Sequence, residues 1–243
     1  MEFTGERLIL GKGSIETEHH HLARYRFCAE HVKGKVVLDV ACGAGYGTQI
    51  LKKAGAKRAI GVDVSKESIA FAKKEYGMPG VTFIASDATK LKAIKAHSID
   101  VAVSFETIEH LPAPELFLKE LNRVMKPGAM LIISNPDPRL SSKYNRPRLK
   151  PENPYHFKEY TELELMAMLA PYWGSIRMFG QGFFSAFMLR YPVQVLNYSF
   201  WKILKVLHLK RLNEHPYTTF DVTVVPRPSS SAVAKYWVFI CTR

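Results

Sequence analysis

The amino-acid sequence predicts an α/β fold, a doubly wound open sheet of mainly parallel strands with helices on both faces. Short apolar runs recur through residues 35–134, and segments with helical spacing of apolar residues lie between them. This alternation is typical of parallel strands joined by crossover helices. A glycine-rich turn directly after the first apolar run supports the same arrangement. We expect a single domain over residues 1–243, a length that one α/β domain commonly reaches.

The individual elements follow from the apolar runs and from helix start and stop signals. Strands are predicted at 35–40, 58–62, 81–85, 99–105 and 130–134. Helices are predicted at 47–54, 66–76 and 114–125. Thr161 and Glu164 have the spacing of a capping box, which predicts a helix over 161–170. Two later strands are expected at 175–180 and 235–242.

Three regions outside the core of residues 35–134 have expected roles of their own. Residues 1–34 are expected to cover the ligand site, and 135–160, rich in proline, to form an active-site loop over the carboxyl edge of the sheet. Residues 181–234 are an insertion between the last two strands, and its segment 193–209 has a wide apolar face. That face could pack on the domain itself or form a homodimer interface. It could also act as a substrate lid or a peripheral membrane contact.

Composition narrows the functional class. With 47% hydrophobic and 23% charged residues, the chain has the composition of a globular protein, and no uncharged apolar stretch is long enough to span a bilayer. Glu2, Glu6 and Arg7 interrupt the position of a secretory signal, so we expect a cytoplasmic protein with reduced cysteines. The net charge of +12 is spread along the chain, and nucleic acid is not the expected partner.

The glycine-rich turn LDVACGAGYG, residues 38–47, is a candidate nucleoside-binding loop. Thr48 stands where a dinucleotide motif would have its third glycine, which favours a different nucleoside. Asp63 follows Gly43 by twenty residues and could accept hydrogen bonds from both ribose hydroxyls. Asp87 ends the next strand, where it could hold an adenine amino group.

The strings LDVACGAGYG, GVDVS, SDA, SFETIEHL and KPGAMLIIS, in this order, resemble the motifs of class I S-adenosylmethionine methyltransferases with a type 11 domain. The resemblance implies a Rossmann-like sheet of seven strands, with 235–242 inserted antiparallel beside 175–180. It also implies S-adenosylmethionine as cofactor. The segment IETEHHHLARYRFCAEH resembles the helix that covers this cofactor, so its Arg24 and Tyr25 are candidates for the cofactor carboxylate. The implied cofactor-binding residues are Asp39, Ala41, Gly43, Gly45, Tyr46, Asp63, Val64, Asp87, Ala88, Phe105, Arg24 and Tyr25.

Methylation of a hydroxyl requires a base, because the pKa of an alkyl hydroxyl lies far above neutrality. His156 in NPYHFKEYT is the candidate base, and Glu106 and His110 are further catalytic candidates. Glu106, Glu109, His110 and His156 also resemble the metal-binding sets of small-RNA 2′-O-methyltransferases and ubiquinone-pathway O-methyltransferases. Such a set could bind Mg²⁺ or Mn²⁺. Similar strings occur in family members without a metal requirement, so a metal-binding role and a metal-free role of these residues both stay open.

The leading functional hypothesis is O-methylation of a small-molecule acceptor, such as a sugar or a glycan precursor. FTGERL, EHHHLARYRF and NPYHFKEYT together resemble a bacterial subgroup associated with such acceptors. One alternative is metal-dependent methylation of RNA or of a lipid quinone. Another is a cofactor-binding sensor or partner protein without catalysis.

Overall fold

The computed structural model describes residues 8–12, 14–141, 153–185, 224–226 and 232–243. Residues 142–152 of the predicted loop lie outside the described residues, as does most of the predicted insertion, including its segment 193–209. Six α-helices are described: α1 (Ile15–Ala29), α2 (Tyr46–Lys53), α3 (Lys66–Tyr76), α4 (Pro114–Val124), α5 (Pro138–Ser141) and α6 (Glu162–Leu169). A single-turn helix covers Ile108–His110. No helix in the described part of the chain is long and apolar enough to cross a membrane.

One sheet holds all the described strands in the order β3-β2-β1-β4-β5-β8-β6-β7. The strands are β1 (Val36–Val40), β2 (Arg58–Asp63), β3 (Val81–Ala85), β4 (Ile99–Phe105), β5 (Met125–Pro136), β6 (Ser175–Ser185), β7 (Val225–Pro226) and β8 (Ala232–Thr242). Strands β1 to β5 are parallel, and β8 runs antiparallel between β5 and β6. The predicted seven-stranded sheet with an antiparallel last strand is therefore confirmed, with the two-residue β7 added at one edge.

The later strands are longer than predicted. Strand β5 runs on to Pro136, which pairs with Tyr236 of β8. Strands β6 and β8 pair from Ser175 with Thr242 to Ser185 with Ala232. The start of the predicted active-site loop is therefore a strand end followed by α5. The prediction ended β5 at 134 because the apolar run stops there, whereas the backbone pairing with β8 continues.

Helices bury both faces of the sheet. Along β1, Leu38 packs on the side of α4 and α6, and Val37 packs on the side of α1 and α2. Such two-sided burial is what makes parallel strands read as continuous apolar runs. The cysteines Cys28, Cys42 and Cys241 are buried and free. The capping box of α6 forms as predicted, with Thr161 and Glu164 each bonding to the other's backbone N–H.

Candidate functional site

A cavity of about 870 Å³ lies at the carboxyl ends of the parallel strands. Its walls come from residues 41–44 after β1, Asp63 and Val64 after β2, residues 86–90 after β3 and residues 105–107 at the end of β4. This edge is where open α/β sheets bind their ligands. The predicted cofactor residues Ala41, Gly43, Tyr46, Asp63, Val64, Asp87, Ala88, Phe105 and Tyr25 all line it.

The loop after β1 turns its backbone toward the cavity. Ala41, Gly43 and Gly45 adopt left-handed conformations, with φ of 59°, 52° and 90°. At Gly45 a Cβ would lie 2.5 Å from the Cβ of Ala72, so only glycine fits under the loop. At Gly43 a Cβ would meet nothing within 4 Å. The loop can thus present backbone groups to a ligand without an intervening side chain.

Asp63 and Asp87 are held by backbone N–H groups. Asp63 accepts hydrogen bonds from the N–H of Gly43 at 3.0 Å and of Ser65 at 2.9 Å. Asp87 accepts bonds from the N–H and the hydroxyl of Thr89, both at 2.8 Å, and these bonds lower the pKa of Asp87. Each carboxylate oxygen has two lone pairs. Both side chains can therefore accept further hydrogen bonds from a nucleoside in the cavity.

Asp39 lies beneath the glycine loop and does not line the cavity. It is 1% exposed and accepts hydrogen bonds from the hydroxyls of Thr48 at 2.6 Å and Tyr25 at 3.2 Å. Burial raises its pKa to about 7, although the bonds from Thr48 and Tyr25 act in the opposite direction. Asp39, a predicted cofactor residue, thus links Thr48 of α2 to Tyr25 of α1.

Helix α1, which the sequence predicts to cover the cofactor, contributes several residues to the cavity wall. The ring of Tyr25 lies so close to α2 that a Cβ at Gly47 would come within 1.9 Å of it. Ser14, Thr17 and His21 also line the cavity, and the Tyr46 hydroxyl lies 3.1 Å from Nδ1 of His21. Sequence reasoning missed this polar face of α1. The available signal is that Ser14, Thr17 and His21 are three and four residues apart, the spacing of residues on one face of a helix.

Arg24 lies behind the cavity wall rather than on it. Its guanidinium is fully buried, donates to Oε1 of Gln181 at 3.0 Å and stacks over the ring of Tyr236 at 4.6 Å. It also lies 4.0 Å from Oε1 of Glu106. Arg24 therefore approaches Glu106 from behind the cavity wall. This position does not support the predicted contact between Arg24 and the cofactor carboxylate.

Glu106 lines the cavity at the end of β4. Its backbone is left-handed, with φ of 49°, and Oε1 accepts a hydrogen bond from the Ser134 hydroxyl at 2.7 Å. A left-handed glutamate costs on the order of 1 kcal/mol, and such strain is concentrated at functional sites. Together with Ala41, it is one of two strained non-glycine residues on the cavity wall.

His110 lines the cavity and His156 stands behind it. The two rings meet edge to face with centroids 4.6 Å apart. Nδ1 of His110 lies 3.1 Å from the carbonyl oxygen of Tyr155. Among the described residues that form the cavity wall, His156 does not occur, and its ring nitrogens bond to Glu159 and Asn153.

Glu109 is buried, and no described residue forms a hydrogen bond with either of its carboxylate oxygens. Burial, followed by the charge of Glu106, raises its pKa well above the ordinary value. Ligand atoms of Glu109, His110 and His156 lie within 4.8 Å of one another, while Glu106 is not in this group. One carboxylate and two imidazoles fit Mg²⁺ poorly, because Mg²⁺ prefers oxygen ligands and imidazole suits transition metals.

Known proteins resemble this chain in sequence and in fold. Residues 38–133 match a family described as a methyltransferase domain. The "Probable S-adenosylmethionine-dependent methyltransferase" of Mycolicibacterium smegmatis is 32% identical over 173 residues, 70% of this chain and 63% of that protein. The ubiquinone biosynthesis O-methyltransferase of Neisseria meningitidis is 28% identical over 106 residues, 42% of this chain and 44% of that protein.

A solved structure gives the same fold over nearly the whole chain. The S-adenosylmethionine-dependent methyltransferase of Thermotoga maritima superposes with a TM-score of 0.62 at 20% identity, covering 93% of this chain and 91% of that one. The chain spans 60 to 63% of the length of the mycobacterial relatives that it matches. The sequence match runs from within β1 to within β5 and includes the segments after β1, β2, β3 and β4 that line the cavity.

Proposed function

This chain belongs to the class I S-adenosylmethionine-dependent methyltransferase family, and from that premise we propose that it methylates a hydroxyl group of a small molecule. A sugar or a glycan precursor is the proposed acceptor. The observation that carries this proposal is the cavity itself, which Asp63 and Asp87 line from β2 and β3 on one side of β1, and Glu106 and His110 line from the segment after β4 on the other side. A nucleoside cofactor and an acceptor can share a cavity of about 870 Å³.

The described residues have distinct tasks in this proposal. Asp63 would accept hydrogen bonds from the ribose hydroxyls of the cofactor, and Asp87 with Ala88 would hold its adenine. Phe105 and Glu106 would lie on the side of its sulfonium. S-adenosylmethionine supplies an electrophilic methyl group, so the chain needs to align the acceptor and exclude water rather than form a covalent intermediate. Tyr25 and the rest of α1 close the cavity over the reacting groups.

The acceptor side of the cavity supports a polar substrate. Ser14, Thr17 and His21 offer hydroxyl and imidazole groups from α1, and Glu106 and His110 face the same cavity from the end of β4. An acceptor rich in hydroxyls can bond to both walls. A hydroxyl acceptor also needs a proton acceptor nearby, and Glu106 and His110 are titratable groups on this part of the cavity wall.

A methyl-transfer assay tests the proposal. Wild-type protein is incubated with radiolabelled S-adenosylmethionine and a panel of sugars, nucleotide sugars and matched amino sugars, and the methylated atom is identified by mass spectrometry. We expect label on a hydroxyl oxygen, and much less label with Asp63→Ala at a limiting cofactor concentration. Label confined to nitrogen would contradict O-methylation, and cofactor binding without transfer to any acceptor would favour a sensor.

Metal-dependent methylation of a lipid quinone is a second candidate. The cluster of Glu109, His110 and His156 favours it, as does the match to an enzyme named for ubiquinone biosynthesis. Calorimetric titration of wild type and Glu109→Gln with Mn²⁺ and Zn²⁺ tests it. Tight binding that Glu109→Gln abolishes, with EDTA-sensitive methylation of a quinol, would favour this candidate over a sugar acceptor.

A further inference from the structure

A tight turn over residues 153–156 lies directly behind His110. The side-chain oxygen of Asn153 accepts a hydrogen bond from the N–H of Tyr155 at 3.0 Å, and its carbonyl accepts one from the N–H of His156 at 3.1 Å. The carbonyl of Glu109 accepts bonds from the N–H groups of Phe157 and Lys158, at 2.7 and 3.3 Å. These bonds fasten the turn to the single-turn helix that carries His110.

The side chains of this turn are consistent with one arrangement of protons. Because the oxygen of the Asn153 amide faces the N–H of Tyr155, its Nδ2 is the donor to Nε2 of His156 at 3.0 Å. Nε2 of His156 is then an acceptor, and Nδ1 carries the proton that is donated to Glu159 at 2.8 Å. Both nitrogens of His156 are thereby engaged within the turn.

The tautomer of His110 follows from the same turn. Its Nδ1 lies 3.1 Å from the carbonyl oxygen of Tyr155, and a carbonyl can only accept. Nδ1 of His110 therefore carries the proton, and Nε2 of the neutral ring carries the lone pair. Neutral imidazole in water favours the opposite tautomer, so the fixed position of the Tyr155 carbonyl is needed to hold this one.

We propose that His110 is the base of the methyl transfer and that Glu159, His156 and Asn153 act as positioning residues behind it. This inference rests on the proposed function. As the acceptor oxygen bonds to the methyl carbon, the carbon–sulfur bond breaks and its electron pair stays on sulfur. The hydroxyl proton passes to Nε2 of His110, which becomes an imidazolium. His156 sets the geometry of the turn and does not touch the acceptor.

The surroundings of His110 support this assignment. Glu109, next in sequence, is fully buried, and no described residue forms a hydrogen bond with its carboxylate, whereas Nδ1 of His110 is held by the Tyr155 carbonyl. Glu106 lines the same cavity and can stabilise the imidazolium that forms. A base on the cavity wall, oriented by a backbone carbonyl, with a carboxylate on the same wall, matches the geometry that general-base catalysis requires.

The tautomer can be measured without any acceptor. Protein labelled with ¹⁵N-histidine is saturated with S-adenosylhomocysteine, and long-range ¹H–¹⁵N spectra identify the protonated nitrogen of each neutral ring. His110→Gln assigns the signal. We expect the Nδ1–H form for His110 in wild type and a shift toward the Nε2–H form in His156→Phe and Asn153→Ala. Asn153→Asp, which still accepts from Tyr155, should retain the Nδ1–H form.

His97 is the internal control. Its Nδ1 also lies 3.1 Å from a carbonyl, that of Met125, and it belongs to neither the turn nor the cavity wall. Its signal should stay in the Nδ1–H form in every variant. An Nε2–H tautomer of His110 in wild type would overturn the inference. A tautomer unchanged by both His156→Phe and Asn153→Ala would do the same.

Kinetics separate this inference from the proposed function. With an active acceptor, His110→Gln should lower kcat by about 10²–10⁴-fold. His156→Phe should lower kcat less, leave KM unchanged and move the acid limb of the pH profile. If His110 is in the Nδ1–H form but the protein methylates no hydroxyl, the proposed function is refuted. The effect of the turn on the His110 tautomer would still hold.

Discussion

Replacing Asp39 by asparagine should remove a pH-dependent loss of stability. Asp39 is 1% exposed beneath the glycine loop, and burial raises its pKa from 3.8 to about 7. An acid whose pKa is raised by folding contributes stability that is fully present below the unfolded pKa. That contribution is lost as the pH rises toward the folded pKa, because the unfolded chain releases the proton more readily.

The magnitude follows from the two pKa values. Each unit of difference is worth about 1.4 kcal/mol, and most of the window from 3.8 to about 7 lies above pH 5. Between pH 5 and pH 8 the ligand-free wild type should therefore lose about 3 kcal/mol of unfolding free energy relative to Asp39→Asn. Asparagine retains an oxygen for the Thr48 hydroxyl, so packing under the loop changes little.

Urea unfolding of both proteins across this pH range measures the difference directly. Each profile contains the titration of every other group, and the subtraction removes those shared contributions. A difference that grows with pH supports the environment described for Asp39. Parallel profiles for the two proteins would refute the reasoning, because they would mean that Asp39 titrates as an ordinary exposed carboxyl.

Three further substitutions probe the cover helix, the buried acid and the helix cap. Gly47→Ala forces a methyl group into the Tyr25 ring and should destabilise the protein by about 1–3 kcal/mol and weaken cofactor binding in calorimetry, whereas Gly174→Ala, with open space at its Cβ, should do neither. Glu109→Gln and the wild type should have similar unfolding free energies in urea at pH 5. As the pH rises, only the wild type should lose stability, because only it has a buried acid to ionise. A difference in unfolding free energy that does not change with pH would contradict the raised pKa. Thr161→Ala should lower the unfolding free energy by about 0.5–2 kcal/mol through loss of the capping box, and an unchanged urea midpoint would contradict that role.

The cofactor half of the site is predictable from sequence because each part has a local signal. Gly43 and Gly45 mark a turn that needs left-handed backbone, and both adopt it. Asp63 ends β2 and Asp87 follows the end of β3, and parallel strands bring their carboxyl ends to one edge of the sheet. Local spacing and topology are sufficient to bring these groups together.

The acceptor half depends on contacts between distant segments, which spacing does not encode. The sequence predicts His156 over the acceptor pocket, whereas its ring nitrogens bond to Asn153 and Glu159 within the turn, and His110 lies on the cavity wall. Arg24 lies behind Glu106 because Gln181 of β6 and Tyr236 of β8 hold its guanidinium there. The role of His156 as the base itself stays a prediction.

The most direct test of the account is the binding of S-adenosylhomocysteine, measured by isothermal titration calorimetry. Wild type should bind one molecule per chain, and Asp63→Ala should lose about 10–100-fold in affinity with the loss of hydrogen bonds to a charged group. Asp100→Ala is the matched control, because Asp100 also accepts a backbone N–H, from Val36, but lies outside the cavity wall. It should bind as wild type does. Equal affinities for Asp63→Ala and wild type, or no binding to wild type, would contradict the assignment of this cavity to the cofactor.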